Sequence, residues 1–416
     1  MIENRAQIDD GTGRSLALDC VEAGIRAADP AHVIPDRVSL DGAGVSVDGD
    51  QYDLDEYRRV ILLGGGNAAA TAASALEDVL GDRVDEGAVV TDNPVQTERV
   101  SVLPGDHPVP TERGVESTRE LLRVTDSATA DDLILVVVTG GGSALMPAPA
   151  GGLDVEDLRK TTQELLASGA TIGEINTVRK HLSDVKGGQL AAAASPATAV
   201  GIVFSDVVGN DLDTIASGPL TPDRSTFADA LEIIDRYDID VPKVVADHLG
   251  DGEGGRIPET PTGEDPAFKR VHQYVLADGN TALNGAASVA EDRGYEATIL
   301  SSRIRGEARE AAKVIVGIAE ECVATGNPAE PPVVLFSGGE TTVTIRGDGS
   351  GGPNQEFALS AALELDEPKV TVASVDTDGI DGNSDAAGAI TTVDTVTQIK
   401  EGRRALDDND VASFLR

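Results

Sequence analysis

Two runs of glycine, each directly after a short apolar stretch, are the first places in this chain where chemistry could be done. Val60-Ile61-Leu62-Leu63 leads into Gly64-Gly65-Gly66-Asn67-Ala68-Ala69, and Leu133 to Val138 leads into Thr139-Gly140-Gly141-Gly142-Ser143. Consecutive glycines let backbone N–H groups close on a phosphate chain in a space that no side chain would leave. The first turn has the form G-x-G-x-x-A, with Asp92 some twenty-five residues on, so it suits a dinucleotide pyrophosphate as well as a plain phosphate or a tight turn. Neither turn is a Walker A loop, because no G-K-[ST] occurs.

A third segment, Glu174 to Gly188, places Arg179, Lys180 and Lys186 within eight residues of one another in a chain with 72 Asp and Glu against 33 Lys and Arg. An anionic ligand explains this local reversal of sign; the alternative is pairing with the surrounding acids. A fourth, Ser205-Asp206-Val207-Val208-Gly209-Asn210-Asp211 and then Ile215-Ala216-Ser217-Gly218-Pro219, puts carboxylates after another apolar run. Mg²⁺ takes one or two such carboxylates plus substrate phosphates, and loops use the same residues as caps. The last cluster comprises Ser337-Gly338-Gly339-Glu340, Gly351 to Glu356, and Asp376-Thr377-Asp378-Gly379-Ile380-Asp381-Gly382. Three polar loops in so short a span point to a cation or a hydroxy-acid ligand.

The elements that position these loops are legible from periodicity. Apolar runs at Val60 to Leu63, Leu133 to Val138, Thr198 to Phe204, Tyr274 to Leu276, Ala297 to Leu300, Val333 to Phe336, Thr341 to Ile345 and Val370 to Val375 are continuous rather than alternating. They are separated by helical patterns such as Asn67 to Leu80 and Thr281 to Asp292. Strands buried on both faces and separated by helices predict an α/β fold with a mostly parallel sheet. Ligands in such sheets bind outside the carboxyl ends of the strands, where the glycine loops fall. The stretch 251–266, rich in Gly, Pro and acids, reads as a linker between a large domain, 1–250, and a smaller one, 267–416; the helical tail 396–416 could pack on either.

The formal charge of −39 excludes a nucleic-acid partner, which needs a basic face. Self-repulsion of that size implies a protein adapted to concentrated salt, where the Debye length shrinks to about 3 Å at 1 M. Cys20 and Cys322 lie far apart in apolar stretches and read as buried thiols of a reducing compartment. The amino-terminal residues show no basic, apolar targeting pattern, so a cytoplasmic protein without a membrane partner is expected. The five histidines form no zinc motif, and Ser143 lacks a G-x-S-x-G frame.

The runs SALMPAPAGGLDVEDLRKTTQELLASGATIGEINTVRKHLSDVKGGQLA and FSDVVGNDLDTIASGPLTPDRSTF, with HPVP at 107–110, resemble the large domain of the glycerate 2-kinase family, often labelled hydroxypyruvate reductase. LFSGGETTV, GGPNQEFAL and DTDGIDGNSDAAGAI resemble its carboxy-terminal MOFRL domain. The resemblance implies a Rossmann-like large domain, a smaller α/β domain, and ATP- and Mg²⁺-dependent phosphorylation of D-glycerate at the 2-hydroxyl, in a monomer or homodimer acting on small molecules. Two family cations are absent: Asn67 stands where the family usually has Lys, and Pro353 where GGRNQE has Arg.

On this basis Gly140, Gly141, Gly142 and Ser143, with Gly187 and Gly188, are expected to bind the nucleotide. Arg179 and Lys186 would offset charge on the transferred group, and Asp206 with Asp378 or Asp381 would hold the metal or take the hydroxyl proton. Asn67, Arg303, Glu340, Asn354 and Gln355 would orient the acceptor. Two other readings stay open: an NAD(P)H-dependent hydroxypyruvate reductase using the first glycine turn, and a relative with reduced catalysis that binds nucleotide or sugar acid.

Overall fold

The computed structural model describes residues 2–9 and 11–416. The chain forms two compact units, one of Pro30–Asp278 and one of Met1–Asp29 with Gly279–Arg416.

The larger unit opens with the helix Pro30–Arg37, followed by a small antiparallel sheet of β1 (Val38–Asp41), β2 (Gly44–Val47) and β3 (Asp50–Asp53). Its core is a six-stranded sheet of β4 (Arg59–Gly65), β5 (Glu86–Thr91), β6 (Val100–Pro104), β7 (Asp132–Val138), β8 (Thr198–Phe204) and β9 (Val271–Ala277), in the order β6-β5-β4-β7-β8-β9. Every neighbouring pair is parallel. Leu62 of β4 stands opposite Leu135 of β7, and both are fully buried, as continuous apolar strands demand. From β4 the chain builds outward through β5 and β6 on one side and, starting at β7, through β8 and β9 on the other. The carboxyl ends of β4 and β7 therefore flank the point where strand order reverses, the usual ligand crevice of a doubly wound sheet.

A helical layer of the same unit, Val155–Ala167, Ile172–His181, Phe227–Arg236 and Lys243–Glu253, has its own apolar cluster around Leu165, Val178, Phe227, Ile233 and Leu249. Asp154, Thr171 and Thr226 start three of these helices with reciprocal capping boxes, which fixes where each begins.

The stretch expected as a linker, 251–266, belongs to this unit. Pro261 accepts the Asp223 amide, Thr260 Oγ1 donates to Asp223, and the strand that follows, β9, pairs along β8. The chain passes between units at 29/30 and 278/279 instead.

In the other unit the helix Thr12–Ala28 packs on Gly279–Asp292 through Leu16, Cys20, Ala286 and Ala290. Strands β10 (Glu296–Glu307) and β11 (Val333–Thr342) pair in parallel; β12 (Val372–Val375) and β13 (Gly388–Thr391) pair antiparallel. Val333 to Phe336 and Thr341 to Ile345, expected as two strands, form one that ends at Thr342. Helices Ile399–Asp407 and Val411–Leu415 cover Leu359 and Leu363 of the helix Pro353–Glu364, so the carboxy-terminal tail packs on this unit. Among the described residues no helix is long and apolar enough to cross a membrane.

Candidate active site

The two glycine turns lie against each other at the head of β4 and β7. Asn67 N–H donates to the Gly140 carbonyl at 2.9 Å, and Ala68 N–H to Thr139 Oγ1 at 3.2 Å. Gly66, at φ +138°, leaves no room for a Cβ, which would strike Thr139 Oγ1. The Asn67 side chain covers Gly141, whose Cβ would collide with Asn67 Oδ1, while Asn67 Nδ2 donates to Asp92 at 3.4 Å. Asn67, expected to orient an acceptor, thus stitches the two turns together.

The turns differ in what their amides do. In the first, the N–H groups of Gly66, Asn67, Ala68 and Ala69 donate to Val90, Gly140, Thr139 and Gly66. All four are committed within the fold, so this turn serves close packing of β4 on β7. In the second, Gly140, Gly141 and Ser143 donate their amides to no acceptor among the described residues, whereas Gly142 donates to Thr139. Three neighbouring N–H groups without an internal acceptor make the second turn the place where an anion would be held. Asp206, just after β8, stands beside Gly140: a Cβ there would strike Asp206 Oδ2.

Two cations face this turn. Lys186 Nζ donates to the Ser143 carbonyl at 2.8 Å, and Arg179 donates to the same oxygen at 3.4 Å. Lys186 is only 4% exposed. Among the described residues neither has a carboxylate within ion-pair distance, in a chain where acids outnumber bases 72 to 33. Burial, then the neighbouring Arg179, holds the Lys186 ammonium well below the ordinary lysine range, and burial pushes Arg179 down to about 10. Lys180, adjacent in sequence, takes the other course: it is buried against Asp213 and Asp223 and closes a structural ion pair.

Gly187 and Gly188, expected to bind nucleotide, donate their amides to the carbonyls of Ser217 and Gly218 at 2.9 and 2.8 Å. They hold the Lys186 loop in place and leave no donor for a ligand. Ser217 and Asn176 lie in segments that the sequence singled out, but neither residue was given a role there. Ser217 Oγ lies 2.8 Å from Ser143 Oγ and donates to Asn176 Oδ1 at 3.1 Å, with both residues buried. The signal for Ser217 was the turn composition Ala216-Ser217-Gly218-Pro219, and that for Asn176 the polar run Glu174 to Gly188.

The remaining expected residues lie in the unit that contains the carboxy terminus. Asp381 is fully buried, and its carboxylate accepts the amides of Asn354 (2.9 Å) and Gln355 (2.7 Å) at the start of the helix Pro353–Glu364. The geometry makes it a helix cap. Asn354 donates to Asp381 and accepts from Ser374, and Gln355 donates to Ser384, so both amides are internal. Pro353 opens that helix, where a missing N–H costs nothing. Arg303 and Glu340 are exposed on β10 and β11, and Asp378 is exposed on a turn where its Oδ1 accepts the Ile380 amide. Burial and the nearby Asp378 and Asp381 push Asp376 up to about 6.

A doubly wound sheet with a glycine turn of open amides and two cations lacking acid partners defines an α/β protein that presents donors and positive charge at its strand ends, where such folds take ligands. Residues 16–250 match the family described as a domain of unknown function, DUF4147, and residues 333–416 match the MOFRL family. Over 393 residues the chain is 40% identical to a glycerate 2-kinase of Pyrococcus horikoshii, spanning 93% of this chain and 88% of that protein. A D-glycerate 2-kinase of Thermotoga maritima is 38% identical over 393 residues with the same shares. The crystal structure of a glycerate kinase from Thermotoga maritima superposes with a TM-score of 0.82 at 35% identity, covering 96% of this chain and 93% of that one. The chain belongs to the glycerate 2-kinase family.

Proposed function

We propose that this protein transfers the γ-phosphoryl group of ATP to the 2-hydroxyl of D-glycerate, giving 2-phosphoglycerate and ADP. The observation that carries this reading is the pair of acid-free cations, Lys186 and Arg179, on the carbonyl of the turn whose Gly140, Gly141 and Ser143 amides stay open. Phosphoryl transfer requires little covalent help from protein; it requires positioning and positive charge around the moving group. The kinase names carried by the relatives support the same reading.

In this mechanism the open amides hold the triphosphate. The acceptor's hydroxyl oxygen forms a bond to the γ-phosphorus as the bond to the β–γ bridging oxygen breaks, and the hydroxyl proton leaves to a carboxylate or to solvent. Lys186 and Arg179 stabilise the charge on the transferring oxygens. Asp206, exposed beside Gly140, is the carboxylate of the larger unit placed to take that proton or to hold a cation. Mg²⁺ takes one or two carboxylates together with substrate phosphate oxygens, and Asp206 would be such a carboxylate. When bound, Mg²⁺ supplies neutralisation of triphosphate charge. For the smaller unit the proposal goes no further than that Arg303, Glu340 and Asp378 have side chains that reach solvent. It assigns Asn354, Gln355 and Asp381 to architecture.

The test is a coupled assay of ADP release with ATP, Mg²⁺ and D-glycerate in molar KCl, followed by identification of the phosphorylated position. Turnover with 2-phosphoglycerate as product is expected. Oxidation of NADH by hydroxypyruvate at an enzymatic rate, without ADP release, would replace this reading by the reductase.

A further inference from the structure

Three successive residues after β8, Ala216, Ser217 and Gly218, have φ of +50°, +61° and +66°. Left-handed geometry is routine for glycine and costly for the other two, and such strain persists only where surrounding interactions enforce it. Local amide bonds from Ser217 to Thr214 and from Gly218 to Ile215 hold part of the turn, and the remaining interactions lead to Lys186. The Ser217 and Gly218 carbonyls accept the amides of Gly187 and Gly188, the two residues after Lys186. Ala216 packs against Gly142, where a Cβ would come within 2.9 Å of its methyl. Ser217 Oγ commits its one proton to Asn176 Oδ1, so in the 2.8 Å contact with Ser143 the Ser143 hydroxyl is the donor. Ser143 is in turn the residue whose carbonyl carries both Lys186 Nζ and Arg179.

We propose that Ser217, backed by Asn176, is a positioning residue for the phosphate site. The chain Ser143–Ser217–Asn176 fixes the Ser143 carbonyl, and the left-handed turn grips the backbone beyond Lys186, so the ammonium is held at one height above the open amides. This inference rests on the kinase reading for its kinetic arm only. Ser217 is fully buried and touches neither the open amides nor the cations directly, so its effect passes through Ser143 and the Lys186 loop.

The test compares Ser217→Ala with Ser217→Gly in the full chain, by kinetics, melting temperature and the acetylation rate of Lys186 read by peptide mass spectrometry. Both variants lose the hydroxyl, but glycine relaxes the left-handed backbone. Loss of one buried hydrogen bond corresponds to about a tenfold fall in kcat with KM for ATP changed less than about twofold. That fall is expected in both variants, although Ser217→Gly melts above Ser217→Ala. Lys186 acetylates several-fold faster in both, as its loop loosens. Asn176→Ala combined with Ser217→Ala falls no further than either alone. If kcat follows the melting temperature across the set, or if Lys186 acetylation is unchanged, the proposal is overturned. A wild-type chain that releases no ADP with glycerate overturns the kinase reading alone, and the acetylation rates then decide the role of Ser217.

Discussion

Lys186 Nζ and the Ser143 carbonyl are 2.8 Å apart, and this neutral oxygen is what a nearly buried lysine has in place of a carboxylate. In the kinase reading proposed above, a cation kept from acids in so acidic a chain is positioned for an anion that arrives from outside.

Replacing Lys186 by Met keeps the volume and removes the charge. Loss of one such electrostatic donor costs roughly 10²- to 10³-fold in kcat. The melting temperature should hold or rise, because a buried cation without an ion-pair partner is replaced by an apolar chain. Steady-state kinetics with a thermal melt checks both, and a variant that keeps half the wild-type rate would remove Lys186 from the mechanism.

The same lysine should make anion binding take up protons. Its folded pKa lies below the ordinary 10.5, so between that folded value and 10.5 the unfolded chain holds a proton that the folded chain lacks, and stability rises with pH across the window. A bound triphosphate favours the ammonium and draws the proton back. Calorimetry of ATP binding at a pH inside that window, just below 10.5, in buffers of different ionisation enthalpy should show net proton uptake in the wild type and none in Lys186→Met; buffer-independent heats in the wild type there would refute this.

Much of the larger unit was legible because its strands are continuous apolar runs. Thr198–Phe204 was read at its true boundaries, and both glycine turns fall at strand ends as expected. The segment 251–266 misled because Gly, Pro and acids mark surface loops as well as linkers. Contacts between distant parts of the chain, Thr260 and Pro261 with Asp223 and the pairing of β9 on β8, show where it belongs. The return of Thr12–Ala28 to the carboxy-terminal unit was hidden for the same reason. It depends on close helix packing at Gly24 and Gly285, where added Cβ atoms would meet Ala282 and Ala27. Residue type could not separate Lys180 from Lys186, because the difference lies in which acids the fold brings near.

Arg309 and Glu356 form the buried ion pair of the smaller unit. Arg309 donates to both carboxylate oxygens of Glu356 at 3.0 and 3.1 Å, and Asn409 adds a third bond at 2.8 Å. Arg309→Met leaves a buried carboxylate without its cation and should cost about 3–5 kcal/mol. Adding Glu356→Leu to that variant should recover most of the loss. Urea melts of the single and double variants test this, and equal losses would mean that the pair carries no coupling.

Asp376 gives the smaller unit a pH signature. With its folded pKa raised to about 6, the folded chain holds a proton between 3.8 and about 6 that the unfolded chain has lost. Stability from this group is therefore present at low pH and falls as pH rises through the window. Asp376→Asn should raise stability by roughly 1 kcal/mol at pH 7.5, after allowance for solvent screening, and by progressively less toward pH 5. Melting-temperature differences at the two pH values check the sign; a gain that grows toward acid would sink it.

The charge of −39 sets the last expectation, since repulsion among exposed carboxylates is unscreened at distances shorter than the Debye length, about 10 Å at 0.1 M and about 3 Å at 1 M. Melting temperature should climb steeply between dilute buffer and 2 M KCl. Salting-out of apolar surface would also produce a rise, so the variant Glu164→Gln/Asp235→Asn/Glu253→Gln separates the causes. These three exposed acids lie on the larger unit, away from the glycine turns in sequence. If repulsion is the cause, the variant is more stable than wild type in dilute buffer and the two converge in concentrated salt. Parallel melting curves at every KCl concentration would show that charge density is not what salt relieves.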